Sequence, residues 1–209
     1  MYAYLPQLLT VALVHLLAVM SPGPDFVMVC RNALTRSRRA GAWSAIGTGA
    51  GLFVHVAYSI VGVGYLVSQS ILAFSILKWA GAAYLVWIGW KSFRAKPAAV
   101  VVDGDHVGAD YSAFAAFRIG FLTNVLNPKA TLFVFALFTQ VIDGATPTAV
   151  KIVYGLEMAI MNALWFTGVA YAVGHPRIRT RFRSIQHRFE QAMGAILIAL
   201  GIKVALAER

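Results

Sequence analysis

Apolar residues run along this chain in blocks far longer than the stripe of a surface helix requires. No charged side chain precedes Asp25, and none lies between Ala40 and Leu77. A helix needs about 20 apolar residues to cross a bilayer. The run lengths therefore predict six membrane-spanning helices, at about 5–30, 40–66, 71–92, 115–142, 149–173 and 189–206. Glu190 and Lys203 bracket the last and shortest of them. The expected fold class is all-α: a polytopic membrane protein forming a single transmembrane domain over residues 1–209. The start has no basic segment and no small-residue cleavage site, so it is not expected to be a cleavable signal peptide.

Two of these blocks are interrupted in the same way. The first carries "MSPGPDF" at 20–26 and the fourth carries "LTNVLNPKATL" at 122–132, with Pro22 falling on Pro128 at a shift of 106. A second match sets "GAAYLVWIGWK" (81–91) against "AMGAILIALGIK" (192–203), with Gly89 on Gly201 and Lys91 on Lys203 at a shift of 112. The first span thus pairs with the fourth and the third with the sixth. Three spans per half is an odd number, so the halves should lie in the membrane in opposite orientations. The expected organisation is repeat one at about 1–95, a cytoplasmic loop at about 96–113 and repeat two at about 114–209. Inverted repeats with matching interrupted helices point to a transporter's binding site.

Ser21-Pro22 and Asn127-Pro128 both read as a capping residue followed by proline at the first helical position. Each motif would end one half-helix and start another. The two restarted helices would aim N-termini, each worth about half a positive charge, at a shared point from opposite sides. Irregular backbone at that depth is tolerated only beside protein or a watery cavity, so a cavity is expected there. "GTGAG" at 47–51 follows no strand and is no nucleotide loop; Gly47 and Gly51 read as a close helix contact.

The charge distribution sets the orientation. Three connections, beginning at Arg31, Lys91 and His175, hold 13 of the 18 Lys and Arg residues. Positive loops stay cytoplasmic, so both termini are expected on the extracytoplasmic side. Arg177, Arg179, Arg181 and Arg183 are then topology signals that meet anionic lipid headgroups, and the net charge of +10 does not indicate nucleic acid. Charged residues make up only 12% of the chain, against about 25% in soluble domains. The lone Cys30 forbids an internal disulfide and an intrachain dithiol relay, which argues against a membrane oxidoreductase. Asp103, Asp105, His106 and Asp110 read as a solvated linker, because Phe114 stands where a calcium loop would place Glu. No metal and no cofactor are expected.

Ionisable residues within the spans are Asp25, Lys129, Glu157 and His55, with His15 a fifth. A charge at the bilayer centre costs at least ~2.5–3.5 kcal/mol, so it should face the bundle interior and have a partner. Asp25 and Lys129 sit at nearly equivalent places in the two halves and are opposite in sign. An amino acid fits between them, its carboxylate on the helix N-termini and Lys129 and its ammonium on Asp25. An Asp25–Lys129 ion pair locking the halves, or Asp25 capping its own helix, is the structural alternative. Asp25 and Glu157 are the candidates for proton coupling; Glu157 has a second option in Lys151. The histidines read as packing residues, and Asn162 and Trp165 as possible cavity lining.

The stretches "MSPGPDFVMVCRNALTRSRRAG", "GAAYLVWIGWKSFRA" and "GFLTNVLNPKATLF" resemble the LysE/RhtB amino-acid exporters, and "SPGPDF" with "TRSRRAG" looks most like the threonine and homoserine efflux branch. The resemblance covers essentially the whole chain. It implies a bacterial inner-membrane protein, not an enzyme, that exports small amino acids against protons. Its motif positions fall on Ser21, Pro22, Gly23, Pro24 and Asp25, and on Asn124, Asn127, Pro128 and Lys129. Asp25 stands where many members carry Asn. Expected partners are an amino acid, protons and membrane lipids. A homo-oligomer is left open, as are a different exported solute and a non-transporting membrane subunit.

Overall fold

Each X-Pro step in the two interrupted blocks forces the residue before proline out of the helical region, and the helices break at these steps. The computed structural model describes residues 2–69 and 110–173, with scattered positions between 76 and 94 and between 191 and 202. A short 3₁₀ turn at Tyr2–Tyr4 leads into α1 (Leu5–Met20), followed by α2 (Pro24–Thr35), α3 (Arg38–Gln69), α4 (Ala113–Val125), α5 (Pro128–Gln140) and α6 (Thr148–Val173). There is no strand among the described residues. The protein is all-helical. Much of the third and sixth predicted spans and of the 96–113 loop lies outside the described residues.

Ser21 precedes Pro22 and is extended (φ −71°, ψ 127°), so α1 stops at Met20. Gly23 precedes Pro24 and is also extended (φ −159°, ψ −172°). Two such steps in succession open the gap between α1 and α2, which bend apart by 58°. A single step at Asn127-Pro128 separates α4 from α5, with a bend of 59°. The first and fourth spans are therefore interrupted, as the sequence led one to expect. One detail differs. The helix that restarts in the first span is capped by Gly23 and opens on Pro24; Ser21 instead closes α1, its N–H bonded to the Ala18 carbonyl. Pro24, not Pro22, is thus the counterpart of Pro128, and the first bent pair continues to Thr35, beyond the expected end near residue 30.

The uninterrupted spans are α3, long and apolar enough to cross a membrane over Arg38–Gly62, and α6 over Thr148–Val173. Helix α3 is the hub, packed against α2, α4, α5 and α6. Glycine makes its approach to α4 possible. A Cβ on Gly47 would collide with the Phe117 carbonyl, one on Gly51 would lie 2.9 Å from the Phe121 carbonyl, and one on Gly120 would collide with the Ser44 carbonyl. The expected Gly47/Gly51 contact is the α3–α4 seam.

Two apolar clusters form the core, one on each side of the breaks. Val11, Val14, Phe133, Leu137, Phe138 and Tyr154 anchor the first, built largely from α1, α5 and the start of α6. Phe26, Val29, Cys30, Phe166, Val169 and Val173 anchor the second, from α2 and the end of α6. Large apolar side chains also face outward, among them Leu9 (61% exposed), Leu13 (57%) and Leu164 (68%). In water such faces would be a liability; hydrocarbon is the solvent that suits them.

Candidate functional site

The two breaks meet. Lys129, the second residue of α5, reaches across and donates from Nζ to the Ser21 carbonyl at 3.0 Å and to the Pro22 carbonyl at 3.4 Å. Those carbonyls lie at the C-terminal end of α1, where a cation is favoured. Lys129 otherwise stands at the positive end of its own helix, so this crossing contact offsets an unfavourable position. Gly23 leaves room for it: a Cβ there would sit 3.2 Å from Lys129 Cδ.

Asp25, the second residue of α2, occupies the mirror position. Its Oδ2 accepts hydrogen bonds from Asn124 Nδ2 at 2.8 Å and Asn127 Nδ2 at 3.1 Å. Asn127 serves twice, since its Oδ1 accepts the Lys129 backbone N–H at 3.0 Å and so caps α5. Asp25, Asn124 and Asn127 are all buried. Asp25 does not cap its own helix. It is held by the Asn124 amide of α4 and the Asn127 amide at the break before α5.

A cavity of about 50 Å³ lies at the junction, lined on its polar side by Ser21, Gly23, Asp25, Asn124, Asn127 and Lys129. These are six of the nine positions singled out from sequence. Pro22, Pro24 and Pro128 do not line it; they shape it by ending or starting the helices. Four lining residues that are themselves buried carry a polar atom with no hydrogen-bond partner among the described residues: Asp25 Oδ1, Asn124 Oδ1, Asn162 Nδ2 and His15 Nδ1. Buried polar groups are almost always satisfied. Acceptors and a donor left open around one cavity are what a small zwitterion or polar solute would complete. His15 and Asn162 join the site from α1 and α6, and the polar signal at membrane depth was already visible for both.

Glu157 is elsewhere. Both its carboxylate oxygens are buried without a hydrogen bond among the described residues, in a groove lined by Leu16, Val153, Leu156, Ile160, Met161 and Trp165. Lys151 does not serve it through a hydrogen bond: its Nζ donates to the Gly144 carbonyl. Trp165 lies in the same groove rather than in the cavity. No group of three or more His, Cys, Asp or Glu among the described residues could hold a metal ion. Asp110 accepts from Ser37 Oγ at 2.8 Å, while Asp103, Asp105 and His106 lie outside the described residues.

Membrane helices broken at matching prolines, with their ends and two opposite charges around one buried cavity, are the arrangement of a membrane transport protein. The chain belongs to the LysE type translocator family, whose profile matches residues 16–208, and it is therefore a translocator and not an enzyme. It is 31% identical over 204 residues to the threonine efflux protein of Escherichia coli K12, covering 95% of this chain and 97% of that one. It is also 31% identical over 191 residues to the homoserine/homoserine lactone efflux protein of Salmonella typhi, covering 90% of each chain. An uncharacterised membrane protein of Vibrio cholerae is 30% identical over 208 residues, covering 99% of this chain and 98% of its own. No solved structure matches the chain.

Proposed function

We propose that this protein exports a small neutral or hydroxylated amino acid, of the threonine or homoserine type, from the bacterial cytoplasm across the inner membrane in exchange for protons. The observation that carries this reading is the pairing of Asp25 and Lys129, opposite in charge and each at the second position of a restarted half-helix, around one cavity. The substrate's carboxylate takes the place of the Ser21 and Pro22 carbonyls on Lys129 and meets the N-terminus of α5. Its ammonium binds Asp25 at Oδ1, the oxygen that no donor among the described residues serves. Asn124, Asn127, Asn162 and His15 offer the side chain its hydrogen bonds. The names of the relatives support the substrate class.

The whole chain acts as a single transmembrane domain in which two inverted three-helix repeats, about 1–95 and 114–209, rock about this midplane site. The connecting segment near 96–113 and the basic loops face the cytoplasm, and both termini face outward. The apolar clusters on either side of the breaks are the two gates. Efflux of preloaded, labelled threonine from vesicles, with and without an imposed pH difference, tests the proposal. Protein-dependent efflux that responds to the pH difference is expected; a rate indifferent to the protein and to pH refutes it.

A further inference from the structure

Resting on that reading, we propose that the proton exchanged for substrate is carried by His55, a residue behind the cavity wall rather than in it. His55 lies 17 residues into α3 from Arg38, about 25 Å along the helix axis, and so within the membrane about two-thirds of the way along the Arg38–Gly62 span. It is wholly buried and does not line the cavity. Its Nε2 is 2.9 Å from the Asn124 carbonyl oxygen. A carbonyl has no proton to give, so Nε2 carries the hydrogen and Nδ1 is the basic nitrogen. Nδ1 lies 2.6 Å from the Tyr58 hydroxyl and 3.5 Å from Thr131 Oγ1.

The choice of partners is the telling feature. A backbone N–H at Nδ1 would serve only the neutral ring, and a carboxylate only the charged one. A hydroxyl donates to the bare nitrogen and, after rotating, accepts from N–H. Tyr58 and Thr131 therefore satisfy His55 in both protonation states, with no buried group left unpaired in either. One proton adds to the Nδ1 lone pair and later leaves from the same atom; no other bond is made or broken.

Asn124 connects this ring to the site. Its carbonyl accepts from His55 and its side chain donates to Asp25 Oδ2, so the imidazole is one residue removed from the carboxylate that would bind the substrate's ammonium. Among the described residues, the charged and titratable groups that these contacts bring near His55 are Tyr58 of α3, Asp25 of α2 through Asn124, and Lys129 of α5 two positions before Thr131; from α4 it meets the Asn124 carbonyl. Glu157 of α6 opens onto the separate groove. An imidazolium tied to Asp25 through Asn124 competes with a substrate ammonium for the same negative charge. Proton and amino acid then exclude each other, which is what exchange requires.

The test uses purified full-length protein in liposomes with labelled threonine. Wild type and His55→Gln are compared in uphill transport driven by a pH difference and in threonine–threonine counterflow at equal pH. The glutamine amide can still donate to the Asn124 carbonyl but has no basic nitrogen. Expected is a loss of at least tenfold in driven transport with counterflow retained. Driven transport at the wild-type rate overturns the proposal. So does loss of both activities, which would make His55 a support for Asn124 and nothing more. Tyr58→Phe, which removes one partner of Nδ1, is expected to displace the pH profile of driven transport and leave counterflow unchanged; an unmoved profile counts against the proposal. Absence of threonine counterflow in wild type defeats the export reading itself, and the proton assignment with it.

Discussion

Replacing Asn127 separates two tasks that one side chain performs. Its Oδ1 caps α5 at the Lys129 N–H (3.0 Å), and its Nδ2 donates to the buried Asp25 carboxylate (3.1 Å). Loss of a cap costs about 1 kcal/mol. Loss of a hydrogen bond to a charged group costs about 1.5–3 kcal/mol. Asn127→Ala should therefore destabilise the protein by about 2.5–4 kcal/mol. Asn127→Ser keeps a capping hydroxyl but is too short to hold Asp25, so it should recover only about 1 kcal/mol of that. In an Asp25→Asn background the carboxylate is gone, and Asn127→Ala should cost little more than the cap. Equilibrium unfolding in mixed micelles, followed by the fluorescence of the five tryptophans, measures each difference. Equal losses for Ala and Ser, or an undiminished loss in the Asp25→Asn background, would refute the assignment of both contacts.

Lys129→Ala and Asp25→Ala should each abolish threonine efflux from vesicles while the protein still inserts, as judged by its abundance in the membrane fraction. Gly120→Val should sharply lower the amount of folded protein, because a side chain there meets the Ser44 backbone; chromatography in detergent reads the loss. Gly23→Leu should press on the Lys129 stem and weaken threonine binding, whereas Gly23→Ala, which needs only a few tenths of an ångström from a flexible side chain, should bind nearly as wild type in a calorimetric titration. Glu157→Gln should keep pH-driven threonine transport within about twofold of wild type; since about 1.4 kcal/mol separates each factor of ten, a larger drop would bring that groove into the coupling mechanism.

Much of this arrangement could be read from the residues because its causes are local. Apolar run length measures helix depth, and each X-Pro step excludes the residue before it from a helix, so α3, α6 and both interruptions were legible. In "SPGP", however, two prolines compete for the first helical position. Only the second wins, because Gly23 is itself excluded from the helix, and that moved the cap from Ser21 to Gly23. The pairing of Asp25 with Asn124 and Asn127 spans about a hundred residues and has no local signature. The placement of Glu157 was not legible for a different reason. Run length fixes how deep a residue lies but not which way it points around a helix of low amphipathicity, and α6 turns Glu157 away from the cavity that Asn162 lines. The Tyr58 contact to His55, one turn along the same helix, could have been anticipated; the contacts to Asn124 and Thr131 could not.

The pocket shared by the two broken helices is tested most directly by measuring how threonine, N-acetylthreonine and threonine methyl ester bind to wild type, Asp25→Asn and Lys129→Met. If Asp25 receives the ammonium and Lys129 the carboxylate, acetylation should weaken binding to wild type but hardly further in Asp25→Asn, and esterification should do the same for wild type and Lys129→Met. Blocking either end of the ligand with the same penalty in all three proteins would mean that neither charge touches the substrate.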